Sequence, residues 1–198
     1  MPLKVVKPSA AVTDAIREHI FQTASLGRFR TRRLASAAPS GLSLAAPHQM
    51  YNLGLADIKG NNPVAKAKPT AWRYLVVENN SVIAAAEAVQ KTRSAKPQFS
   101  STNEGPFVDS MARAIEVAEH LPEVQAGQFE FSVLRVPALY LIALWLQGSG
   151  SKSKGDIFIP LDPAPPGMKA GQHMSSADFT AALLRLKGER GKSAGTSS

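Results

Sequence analysis

The residues able to do chemistry are few and scattered. The four histidines, His19, His48, His120 and His173, stand far apart, with no pair at the spacing a metal ligand set requires. Glu119 and His120 are adjacent but lack a second histidine one helical turn away. Gly41-Leu42-Ser43-Leu44-Ala45 falls one residue short of a nucleophile elbow. Its flanks, Pro39 and Pro47, deny it the strand, tight turn and helix that force such a serine outward. Gly148-Ser149-Gly150-Ser151-Lys152-Ser153 resembles the end of a phosphate-binding loop, yet Ser151 occupies the place where glycine must precede the lysine. A strand-like segment follows it instead of a helix, so it reads as a flexible connector. No dinucleotide glycine fingerprint or paired acidic metal motif is present, and no cofactor or metal is expected. An enzyme would have to assemble its site in space from groups such as Glu78, Glu87, Tyr140 or His173.

One charged cluster is dense. Arg28, Arg30, Arg32 and Arg33 lie within six residues, with Phe29 among them. Guanidinium groups at this density suit an acidic protein surface or a phosphate backbone, Phe29 offering an apolar or stacking surface and Lys66 and Lys68 extending the footprint. The alternative is a solvated loop. The chain carries 23 Lys and Arg against 15 Asp and Glu, a formal net charge of +8, which favours acidic partners without fixing a fold. Cysteine is absent, which removes disulfides, thiolate metal sites and a cysteine nucleophile. The N-terminal segment is broken by Lys4, Lys7, Asp14, Arg17 and Glu18, so no secretory signal is read there. The longest apolar run, Val136–Leu146, is shorter than the roughly 20 residues a membrane helix needs, and the expectation is a soluble cytoplasmic protein.

The elements that must position these residues follow from periodicity. Apolar residues at three- and four-residue spacing predict three amphipathic helices, over 12–26, 106–121 and 176–187. Gly27 ends the first, Pro106 starts the second, and Ser175-Ser176-Ala177-Asp178 is placed to cap the third. His19 belongs beside the first helix's apolar face as a packed, hydrogen-bonded side chain, and Glu116 and His120 form an i,i+4 pair on the second. Ala71–Glu78 and Ser81–Gln90 flank Asn79-Asn80, a pair that tolerates left-handed backbone, and form a hairpin with apolar residues on both faces. Tyr51–Ile58 reads as a short strand or covering segment, and Arg28–Pro47, Lys59–Thr70 and Lys91–Gly105 as loops.

Gln128–Leu161 is the apolar centre of the chain. Phe129, Phe131 and Val133 alternate with polar neighbours as in a strand, until Pro137 interrupts the pattern. Either a long strand bends at Arg135-Val136-Pro137 or a buried helix occupies Ala138–Gln147; the partner segment Asp156–Leu161 favours the strand. A cleft beside this core would belong at the bend.

The resulting expectation is an α+β domain over 1–187 with one antiparallel sheet of about four to five strands, built on hairpins 71–90 and 128–161, and a disordered basic Gly/Ser tail over 188–198. The functional expectation is a small basic binding or accessory protein for an acidic macromolecular partner. The alternatives are a nucleic-acid-binding protein using Arg28–Arg33 and an enzyme with a spatially assembled site. Oligomeric state is not readable from the pattern.

Overall fold

The alternating apolar positions of the chain build one mixed sheet, larger than expected, with helices on both faces. The computed structural model describes residues 3–90, 92, 95–149 and 155–195. The expected connector around Lys152 and Lys154 and the tail residues 196–198 lie outside them in whole or part. The strands are β1 (Leu3–Lys4), β2 (Leu42–Asn52), β3 (Lys68–Glu78), β4 (Ser81–Val89), β5 (Gln98–Asn103), β6 (Gln128–Val136), β7 (Leu141–Ser149), β8 (Ile157–Pro160) and β9 (Met174–Ser175). Their order is β5-β4-β3-β2-β6-β7-β8-β9, with β1 added to β6. The helices are α1 (Ala10–Ser25), α2 (Arg32–Ser36), α3 (Pro106–Glu119), α4 (Pro122–Ala126) and α5 (Ser176–Gly195).

The α+β class stands, but the antiparallel sheet of four to five strands with three helices does not. Among the described residues nine strands are present, and two pairings, β1 with β6 and β2 with β6, are parallel. Two full strands lie where loops were expected. β2 was hidden because Pro47 breaks its hydrophobic alternation, and β5 because its sequence, QFSSTN, is polar at an edge. Within 128–161 the described residues form a three-stranded meander, β6-β7-β8. The chain does not bend at Pro137 but reverses: a 3-10 turn over Pro137–Leu139 and a left-handed Tyr140 join β6 to β7, whose nine residues pair antiparallel from Val136↔Leu141 outward. α5 likewise runs through Gly188 to Gly195, where an end and a disordered tail were expected. Long helix-forming side chains surround that glycine, and Arg185 and Glu189 pair across it at 2.7 Å.

Other local expectations hold. Asn79 and Asn80 take φ of 47° and 66° in the two-residue turn between β3 and β4. Gly27, at φ 60°, lets the Arg28 N–H donate to Thr23 O and its own N–H to Ala24 O, closing α1. Ser175 Oγ accepts from the Asp178 N–H, capping the start of α5, and donates to the Asp178 carboxylate.

The two faces of the sheet are covered differently. Val12, Ile16 and Ile20 of α1 pack on Tyr74, Val76, Ala84 and Ala86, and Phe179 and Leu183 of α5 on Trp145 and Phe158 of the same face. Phe158 and Phe179 stack with centroids 4.1 Å apart. Val108, Met111, Ala114 and Ala118 of α3 cover the opposite face over Leu75, Ala85, Phe131, Val133 and Leu144.

Candidate functional site

The predicted arginine cluster is divided by the fold. Arg33, in the first turn of α2, reaches α3 and donates to both carboxylate oxygens of Asp109, one at 2.9 Å. The side-chain hydrogen bond and charge of Asp109 push the Arg33 guanidinium up and, reciprocally, Arg33 holds the Asp109 carboxyl below its usual range. Glu104 accepts from the N–H groups of Arg33 and Leu34 at 3.1 and 2.9 Å, satisfying orphan donors at the start of α2. Leu34 is buried against the α1 face. Arg28, Arg30 and Arg32 are exposed, and among the described residues their side chains make no ion pair or hydrogen bond. Phe29 is half-buried against the α1 core.

A second polar group, invisible in the sequence, is assembled under α3. β2 gains one residue against β3 between Ala45 and His48, where Ala46 sits at φ 48° before Pro47. Such a bulge reverses which side chains face which way. Leu42 therefore packs on the α1 face, whereas His48 and Met50 face α3. The bulge sets His48 opposite Arg73, which stands opposite Glu87 on β4. Arg135 reaches across from β6 to donate to Glu87 Oε1 at 2.5 Å, and Arg73 Nε lies 3.6 Å from the same oxygen. Arg73, Glu87 and His48 are at most 5% exposed.

His48 Nδ1 lies 2.7 Å from the carbonyl of Ala46. A carbonyl only accepts, so Nδ1 carries the proton and Nε2 presents a lone pair. That Nε2, the Arg73 Nε–H and Asn52 Oδ1 are buried with no hydrogen-bond partner among the described residues. Burial pulls the His48 pKa from 6.5 to about 3, opposed by the Ala46 hydrogen bond and assisted by Arg73 and Arg135. Burial also pulls the Arg73 guanidinium down, against the charge of Glu87. With His48 neutral, two guanidiniums face one carboxylate, leaving one surplus positive charge.

Arg135 connects this cluster to the surface. It lines an open cleft of about 340 Å³ with Phe107, Pro137, Tyr140, Leu141 and Ile142, immediately beside the proline turn. The walls are carbon, Arg135 contributing its stem while its guanidinium turns to Glu87. Tyr140 is 79% exposed although it occupies the left-handed region at φ 51°, a backbone costing a non-glycine residue roughly 1–2 kcal/mol. The Arg190 guanidinium of α5 lies 6.0 Å from its ring centroid.

The remaining candidates fall into structural places. Glu78 accepts the Ala38 N–H at 2.7 Å. Ser43 lies inside β2, opposite Val77, and has no elbow geometry. His19 stacks on Phe99 of β5 with centroids 3.6 Å apart, and burial lowers its pKa. His120 hydrogen-bonds the Glu116 carbonyl at 2.7 Å, not its carboxylate, because it closes α3 as the C-cap. Lys66 ends a 3-10 turn over Pro63–Lys66, and Lys68 begins β3. His173 is exposed and lines clefts with Met174 and Asp178. Among the described residues, no three His, Asp or Glu side chains are placed to hold a metal, and no helix is long and apolar enough to cross a membrane. No protein-family model, curated protein or solved structure matches the chain.

Proposed function

We propose that the protein is a binding or accessory protein for an acidic macromolecular partner, with Arg28, Arg30 and Arg32 as its contact charges. The observation that carries this reading is their presentation. The segment holding them is closed on one side by the α1 cap and pinned on the other by Arg33–Asp109 and by Glu104, while the three guanidiniums themselves are unpaired among the described residues. Charges held on an ordered segment lose less freedom on binding than charges on a mobile loop. Glu87 and Glu78, the carboxylates a spatially assembled enzyme site would draw on, are engaged by Arg73 and Arg135 and by Ala38.

A tagged pull-down at low ionic strength tests the reading, using wild type and the triple variant R28Q/R30Q/R32Q. The expected result is an acidic protein retained by wild type, released by salt, and bound about tenfold more weakly by the variant. Release by nuclease treatment assigns the arginines to nucleic acid instead. Equal retention by the variant rejects both.

A further inference from the structure

We propose that the cleft beside the proline turn seats one large apolar side chain of that acidic partner, with Tyr140 and Arg135 at its margin. This rests on the acidic-partner reading above and adds where the partner is anchored.

Four observations converge. The walls supplied by Phe107, Pro137 and Ile142 are carbon and partly open to solvent, a surface whose burial favours association. Tyr140 is held outward in a left-handed conformation that glycine or asparagine would adopt more easily, so the turn itself does not call for a tyrosine. Arg135 is fixed by its bond to Glu87 and needs no ordering when a partner arrives. Behind it the buried cluster keeps one positive charge in surplus, and the whole chain carries +8.

Tyrosine, arginine and a carbon-walled pocket are the components of the energetic centre of a protein interface. A nucleic-acid duplex keeps its bases stacked inside and brings only phosphate and sugar to the carbon walls, and a wholly apolar ligand leaves the surplus charge unanswered. An acidic segment with one large apolar anchor satisfies both.

The test uses two synthetic nonapeptides of aspartate and glutamate, one with a central phenylalanine and one with a central alanine, titrated to millimolar concentration into the ¹⁵N-labelled full chain. The phenylalanine peptide is expected to shift the amides of Phe107, Tyr140, Leu141 and Ile142, and the alanine peptide to bind at least tenfold more weakly. Ile142→Trp, which fills the cleft, and Tyr140→Ala, which removes the margin, are each expected to lose at least tenfold in affinity while keeping a dispersed amide spectrum. Equal binding of the two peptides, or no shifts at the cleft, overturns the proposal. Shifts confined to Arg28–Arg33 overturn it while leaving the acidic-partner reading intact. Cleft shifts that persist with a serine-flanked phenylalanine peptide and are unchanged by salt overturn it in the acidic form stated here, and remove the support it lends to that reading.

Discussion

Glu87 faces Arg73 and Arg135 from a buried position, with only Arg135 partly open to water. Removing one member of a buried ionic group leaves the others charged and unanswered, typically at a cost of about 3–5 kcal/mol. Glu87→Gln is therefore expected to lose about that much in urea denaturation, whereas Lys4→Ala, which breaks the exposed Lys4–Glu130 pair, is expected to lose about 1 kcal/mol or less. Similar losses in the two variants would refute the cluster's role. His48 makes the second residue-scale prediction. Its folded pKa lies below its unfolded value, so the unfolded chain binds a proton that the native chain refuses. The native state is thus fully favoured above pH 6.5 and weakens as pH falls toward 3. Between pH 6.5 and 5 the His48 contribution is about 2 kcal/mol, with the charges of Arg73, Arg135 and Glu87 nearby, and His48→Gln is expected to flatten that part of the stability curve. None of this was readable in the chain. Residues 48, 73, 87 and 135 share no spacing, and their meeting depends on a bulge whose proline looked like a strand breaker.

At the scale of elements, local chemistry was legible where the backbone itself demands a residue type. The Asn79–Asn80 turn, the Gly27 cap, Pro106 at the head of α3 and the Ser175 cap of α5 all follow from such demands. Asn80→Gly is expected to hold or raise the thermal midpoint, because glycine reaches φ 66° without penalty. Asn80→Val is expected to lose roughly 1–2 kcal/mol. The strands that escaped notice lacked such a demand. β5 is polar because it ends the sheet, with no strand beside its outer edge among the described residues, and β2 is discontinuous because it serves both faces. The site at the β6–β7 turn was half legible. Pro137 marked its position, but the reversal and the outward Tyr140 came from pairing between segments, which periodicity does not encode.

For the whole molecule, the basic surplus separates into charges that hold the fold and charges that face outward. Replacing Arg28, Arg30 and Arg32 together by glutamine is expected to leave the unfolding free energy from urea denaturation within about 0.5 kcal/mol of wild type, since none of the three side chains is paired among the described residues. A larger loss would mean that they serve the fold and not a partner. The sheet is also two meanders joined along one line. β2–β5 and β6–β9 each pair with near neighbours in sequence, whereas β2 meets β6 only through Gln49–Asn52 and Ser132–Arg135, and β1 occupies the remainder of the same β6 edge. That line is the long loop closure of the fold, so each meander can form before it does. Amide exchange is expected to resolve two cooperative folding units, with the protons along the line following the less stable one. A single global opening rate for all strands would show instead that α3, which lies over both halves, welds them into one.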